Sequence, residues 1–397
     1  MNISQRGLAM PASPIRKLVP HAEAAKKGGA VVYHLNIGQP DLATPPAFWE
    51  RLAHYPERVL AYGHSAGLAE FRDALAAYYR RAGYGVAMED VTVTTGGSEA
   101  ILFALLATCD VGDEVLCFEP FYTNYNSFAL SAGVRLVPIT CRAEDGYHLP
   151  APAEIEAAVG PRTRALMACS PNNPTGTVYT LAEMEVLAEL CVRRNLFFLS
   201  DEVYREFVYD EPHTGVLQLG LGDRAVMLDS ISKRFSACGA RIGCAVTKNR
   251  DLQRAFLHLG QARLCPPSLE QYAALTLLDL PADYYAAVQA EYRKRRDVVM
   301  GRLAQMPGVV CLEPKGAFYI MAKLPLRDAG HFAVWLLDEW RHEGGTVMVA
   351  PGDGFYATPG RGQDEVRIAY VLEADKLDRA MESLRAGLHA YRAARGE

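Results

Sequence analysis

Ser230-Ile231-Ser232-Lys233, followed eight positions later by Arg241 in Gly239-Ala240-Arg241-Ile242-Gly243, decides how this chain is read. The stretch follows an apolar run, Ala225 to Leu228, that reads as a strand. A lysine on such a small-residue loop is placed to form a Schiff base once desolvation or a cationic neighbour leaves its amine neutral. Ser230, Ser232 and Arg241 set hydroxyls and a guanidinium fork beside it, which is phosphate-binding chemistry. A carbonyl cofactor that carries a phosphate, pyridoxal 5'-phosphate (PLP), fits both halves. Taken alone, the same string also suits a solvated turn, so the rest of the chain must supply the ring's other partners.

Outward from the lysine, chemistry-bearing residues sit at the ends of one expected strand after another. Leu196 to Leu199 delivers Ser200-Asp201-Glu202-Val203-Tyr204. An acid so close to an apolar run needs a cationic or hydrogen-bonding partner, and a ring nitrogen or backbone amides would both serve. Ala165 to Cys169 ends in Ser170-Pro171-Asn172-Asn173-Pro174-Thr175-Gly176, a stiff loop whose asparagines offer neutral donors. Val115 to Phe118 leads to Tyr122, at the strand end where ligands bind in open α/β sheets. That ring can stack on a flat ligand or simply pack in the core. Val91 to Thr94, then Thr95-Gly96-Gly97-Ser98 and the apolar helix Ile101 to Ala107, form an anion site, with Ser98 as cap or phosphate ligand. Further upstream, Gly38 in Gly38-Gln39-Pro40-Asp41 lets backbone approach a ligand. Tyr62 lies in the loop before the helix Leu68 to Arg81.

Downstream, the strand Ile242 to Thr247 and the helices Asn249 to Leu259 and Leu269 to Leu278 precede a long helix, Ala282 to Leu303, suited to bridging two domains. The rhythm then changes to strands over Val309 to Leu312, Phe318 to Leu324, Thr346 to Val349 and Glu365 to Val371. With helices Ala329 to Arg341 and Glu373 to Ala394, these predict a smaller α+β domain.

Composition agrees with a large enzyme. The chain has 397 residues, half of them hydrophobic, enough for two or more domains. Its net charge of -5 is spread without blocks, except for Arg293-Lys294-Arg295-Arg296, which reads as the wet face of a helix. No nucleic-acid partner is expected. No apolar run approaches the ~20 residues that span a bilayer, so no membrane partner is expected either. The opening MNISQRGLAMPASP lacks a run of signal-peptide length. Nine cysteines without a Cys-x-x-Cys predict reduced core thiols, and ten histidines without a His-x-x-x-His predict no metal site. A cytoplasmic enzyme is the expectation.

In chain order the signals are Gly-Gly-Ser, an aromatic, Asn-Pro-Thr-Gly, Asp-x-x-Tyr, Ser-x-Ser-Lys and Arg. In this order the sequence resembles the class I/II aminotransferases of PLP fold type I, from Ser13-Pro14 to the final helix. The resemblance implies an α/β fold: a large PLP-binding domain over residues 47–285, with a mostly parallel seven-stranded sheet between helices. A small domain would be built from 1–46 and 286–397. It implies that Lys233 holds PLP and shuttles the substrate proton, that Asp201 pairs with the pyridine nitrogen, and that Tyr204 and Asn173 bond O3'. Tyr122 would stack on the ring, and Gly97, Ser98, Ser230, Ser232 and Arg241 would form the phosphate cup. Arg367 would grip the substrate α-carboxylate, with Gly38 closing over it. Tyr62 is similar to the tyrosine that reaches the neighbouring subunit's phosphate, which implies a homodimer with shared active sites.

The implied reaction moves an amino group from an L-amino acid, aspartate-like as first choice, to a 2-oxo acid such as 2-oxoglutarate by a ping-pong mechanism. Aspartate-active members of one bacterial branch carry a lysine where this chain has Ser98, so a second positive charge must come from elsewhere, with the candidate Arg263, near the region where other members supply such an arginine across the dimer. An aromatic or broad-specificity aminotransferase, or a carbon–sulfur lyase on the same fold, are the alternative expectations.

Overall fold

In the computed structural model, which describes every residue except Met1, Glu211 and Glu397, strand β1 (Val31–His34) pairs in parallel with a segment more than 300 positions later. The next seven strands form one sheet: β2 (Val91–Thr95), β3 (Glu114–Glu119), β4 (Arg135–Thr140), β5 (Thr163–Cys169), β6 (Phe197–Asp201), β7 (Ala225–Ser230) and β8 (Ile242–Val246). Their order is β2-β8-β7-β6-β5-β3-β4. Only β8 runs antiparallel to its neighbours. One edge of the sheet therefore collects the C-terminal ends of six strands together with the N-terminal end of β8.

Both faces of this sheet are covered, as its nearly unbroken apolar strands require. Leu199, Val226 and Leu228 pack on one side against Ile101, Phe103 and Phe256, from the helices Gly96–Thr108 and Arg250–Arg263. Phe198 and Met227, their neighbours in sequence, point to the other face and share a core with Phe71, Leu75, Met184 and Leu187. The helix Leu181–Arg194 shows how local chemistry sets a boundary. Thr180 Oγ1 accepts from the Glu183 N–H while Glu183 Oε2 accepts from the Thr180 N–H, and Asn195 ends the helix at φ 54.

Beyond the 22-residue helix Ala282–Leu303 lie β9 (Tyr319–Lys323), β10 (Gly345–Met348), β11 (Ala350–Pro351) and β12 (Glu365–Ala369). β11, β12 and β9 form an antiparallel sheet, and β10 is the partner of β1. Their core joins Phe318, Ile320, Val366, Leu377 and Leu384 to Leu18, Ala22 and Leu35 from the start of the chain. Among the described residues, no helix is long and apolar enough to cross a membrane.

Three local readings need correction. Arg295 and Arg296 are not on a wet face; both are buried. Arg295 Nη1 donates to Asp41 Oδ1 (2.6 Å) and the Val371 carbonyl (2.8 Å), and Arg296 Nη1 to Asp210 Oδ2 (3.1 Å). The long helix thus uses two cations to tie irregular segments to itself. Val309 to Leu312 is not a strand, and only Val310 bridges to Lys323. Conversely, β4 and the helix Asn124–Ala132 were not anticipated. Pro138 obscured β4, yet a proline is tolerated there because β4 is an edge strand.

Candidate active site

A cavity of about 570 Å³ opens at the edge where the strand ends meet Tyr319 of β9, Arg367 of β12 and the N-terminal segment. Gly38, Gly97, Ser98, Tyr122, Asn173, Asp201, Tyr204, Ser230, Ser232, Lys233, Arg241 and Arg367 all line it. Tyr62 does not, and is 80 % exposed.

Asp201 ends β6 and is buried. Its Oδ2 accepts from Tyr125 OH at 2.6 Å, while its one backbone contact, Val203 N–H, is long at 3.4 Å. Burial pushes its pKa up to about 6, against the opposing pull of Tyr125 and Val203. Backbone amides therefore do not satisfy this acid, and among the described residues it forms no ion pair. A protonated ring nitrogen would.

The lysine loop leaves β7 at Ser230 and returns as β8. Ser230 Oγ lies 2.8 Å from both Ser232 Oγ and the Ile242 carbonyl. Lys233 Nζ donates to the Gly38 carbonyl at 2.8 Å. Behind the loop, Asp229 and Arg234 form a buried ion pair, and Tyr79 OH donates to Asp229 Oδ2 at 2.8 Å. This fixed backing holds the loop in one geometry.

Because β8 is reversed, Arg241 at its start reaches the same edge as the helix Gly96–Thr108. Gly96 has φ +74, and a Cβ there would collide with the Arg241 guanidinium, so the approach requires glycine. Ser98 is the third residue of that helix and not its cap, and the Thr95 N–H is taken by Glu99 Oε2 at 2.7 Å. The Ser98 hydroxyl is thus free of capping duty, beside a helix N-terminus that favours anions.

Arg367, on β12, is buried beneath the rings of Tyr319 and Phe355, with its guanidinium 4.6 and 4.8 Å from their centres. Nη1 donates to Asn173 Oδ1 at 2.9 Å and Nη2 to the Asn36 carbonyl at 2.6 Å, while Nε has no partner. Burial lowers its pKa. Among the described residues no carboxylate pairs with it.

The sequence reading missed several residues. Tyr125 orients Asp201, and Tyr319 OH lies 2.9 Å from Tyr204 OH. Tyr125 falls three positions after Tyr122, whose carbonyl accepts its N–H at 2.9 Å, and that nearness in sequence was the available signal. Arg16, on the N-terminal segment, also lines the cavity. Arg263 does not; its Nε is 3.2 Å from Glu99 Oε1.

The residues present fit PLP. Among the described residues the buried acid lacks a cation, hydroxyls and a guanidinium lie by a helix N-terminus, and a lysine amine lines the same cavity. The chain is similar to known proteins along nearly its whole length. A family model described as aminotransferase class I and II matches residues 30–384. An arginine–pyruvate transaminase of Pseudomonas aeruginosa is 34% identical over 90% of each chain. An aspartate/prephenate aminotransferase of Thermus thermophilus is 31% identical, covering 96% of this chain and 97% of its own. An alanine aminotransferase structure from Pyrococcus furiosus superposes with a TM-score of 0.90 at 28% identity, over 98% of this chain and 100% of that one.

Proposed function

Since this chain belongs to the class I and II aminotransferases, a PLP-dependent family, we propose that it transfers the amino group of an aspartate-like L-amino acid to a 2-oxo acid such as 2-oxoglutarate, in a ping-pong cycle. The observation that carries the reading is Arg367, a buried guanidinium in the cavity wall without a carboxylate partner among the described residues. An uncompensated buried cation is costly, and a substrate α-carboxylate would relieve it in a bidentate geometry.

When bound, PLP supplies an electron sink for the bond broken at Cα. The chain's own residues do the rest. Arg367 would hold the α-carboxylate and so select which bond at Cα is broken. Lys233 Nζ would carry the Cα proton. Asp201 would hold a proton on the pyridine nitrogen, Tyr204 and Asn173 would bond O3', and Tyr122 would stack on the ring. Gly97, Ser98, Ser230, Ser232 and Arg241 would receive the phosphate. Gly38 would close over the substrate from the N-terminal segment. Exposed Tyr62 would reach the phosphate of a second copy, in a homodimer with shared active sites.

Charge favours a diacid over the cationic donor named for the Pseudomonas relative. Lining the cavity are four basic side chains (Arg16, Lys233, Arg241 and Arg367) and one acid, Asp201, which faces the ring. Among the described residues, an arginine side chain would meet no free carboxylate there. The test is a half-reaction panel without acceptor, following conversion of the cofactor's absorbance. Aspartate and glutamate should convert it fastest, and Lys233→Ala should abolish conversion. Release of ammonia or a sulfur product in place of stable conversion would sink the reading in favour of a lyase.

A further inference from the structure

We infer that Tyr319 is a positioning residue for the reaction: its hydroxyl turns the one proton of Tyr204 toward the cofactor's O3', while its ring backs Arg367. The inference rests on the reading of Tyr204 as a partner of O3'. A tyrosine that opens an apolar strand, as Tyr319 opens β9, ordinarily just packs in the core. Its contacts on three sides set this one apart.

Strand register places the side chain. Tyr319 pairs with Ala369, and Met321 with Arg367, so Tyr319 and Arg367 share one face of the sheet as diagonal neighbours. That diagonal lays the ring against the guanidinium, whose carbon is 4.6 Å from the ring centre. On another side the ring meets Tyr204, with centres 5.5 Å apart and planes at 81°. At the tip, a Cβ on Gly38 would overlap the Tyr319 hydroxyl, so the close approach of that backbone requires glycine. Tyr319 is buried and wedged among these three neighbours, which leaves its hydroxyl one place to be.

Counting protons then gives the pair a direction. The two hydroxyls lie 2.9 Å apart, and among the described residues neither has another hydrogen-bond partner. A tyrosine carries a single O–H proton. If Tyr204 gives its proton to O3', Tyr319 must be the donor between the two and Tyr204 the acceptor. The Arg367 cation against the Tyr319 ring favours the same direction, because a nearby positive charge makes the phenol a better donor. O3' then receives its bond from a hydroxyl that itself accepts one, and in such a chain each link strengthens the next. No other described side chain bonds the Tyr204 hydroxyl, so no second group can take over this task.

The test titrates the visible absorbance of the bound cofactor against pH, without substrate. It compares the wild-type holoenzyme, Tyr319→Phe, Tyr204→Phe and the double variant, and adds kcat and KM for aspartate and for alanine. Weaker donation to O3' makes that oxygen a stronger base, so the midpoint should rise by about one pH unit in Tyr319→Phe. With both donors kcat should fall by about 10-fold, while KM, which depends on Arg367 and the retained ring, should change by less than about 2-fold. Tyr204→Phe should raise the midpoint at least as far, and adding Tyr319→Phe to it should move the midpoint no further. A Tyr319→Phe shift that persists in the Tyr204→Phe background would overturn the role of Tyr319. So would an unmoved midpoint in Tyr319→Phe where Tyr204→Phe moves it; either result leaves the cofactor reading standing. A Tyr204→Phe midpoint equal to that of the wild type would overturn the assignment of Tyr204 to O3', and Tyr319 with it.

Discussion

The cavity has two halves built by different means. The half that would face the cofactor draws Gly97, Asp201, Ser230, Lys233 and Arg241 from strand ends of one sheet, where ladder hydrogen bonds and the buried Asp229–Arg234 pair fix their places. The half that would face the substrate assembles Arg16, Gly38, Asn173, the ring of Tyr319 and Arg367 from distant stretches, and the Arg367 bond to the Asn36 carbonyl spans 331 positions. The first is rigid by construction; the second depends on β9, β12 and the N-terminal segment meeting the sheet. Damage to the first should therefore slow every substrate alike, and damage to the second should change binding and choice.

The largest expected effect lies in the cofactor half. Asp201→Asn should lower kcat by about 10²- to 10³-fold with each donor, leaving the aspartate-to-alanine ratio intact. A changed ratio would break the comparison. The same variant carries a stability sign. Burial raises the folded pKa of Asp201 from 3.8 to about 6, so the folded protein holds a proton that the unfolded chain releases in that window. Its contribution to stability then falls as pH rises through the window, to a penalty of about 3 kcal/mol at neutral pH without cofactor. Cofactor-free Asp201→Asn should melt above the wild type at pH 7, with the gap closing toward pH 4.

Arg367→Lys, in the substrate half, should cost about 10- to 100-fold in kcat/KM for all α-amino acids, chiefly through KM. A loss confined to kcat would place Arg367 with the cofactor half instead. The smallest effect belongs to Tyr125→Phe, which removes one hydrogen bond to Asp201 and should slow turnover by about 5- to 10-fold across donors. It should also raise the Asp201 pKa further, visible as a shift of the acidic limb of the kcat profile.

The same division explains what could be read from sequence. The cofactor half was legible because its residues travel in short strings, such as Ser230 to Lys233, whose strand, turn and chemistry are contiguous. Tyr125 escaped because its helix, Asn124–Ala132, has little apolar periodicity to announce it. Tyr319 read only as part of an apolar strand, since nothing local reveals that its hydroxyl meets Tyr204. Arg16 reaches the cavity wall from a segment whose place is set by Pro14 lying on Gly354, a contact across 340 positions that nothing local announces. Arg295 and Arg296 failed for a related reason: a cluster of four cations looks solvated until the loops that bury two of them are in place.

The reversed course of β8 has a consequence for how the site keeps its dimensions. Ser230 lies opposite Gly243 across the hairpin, so the amine of Lys233 and the guanidinium of Arg241 hang from the two arms of a single caliper. Sliding one arm by a residue would shift its tip by about 3.3 Å, a whole hydrogen-bond length. The spacing between that amine and that guanidinium is thereby gauged by strand register, and the seven residues between those two side chains have little freedom to lengthen or shorten.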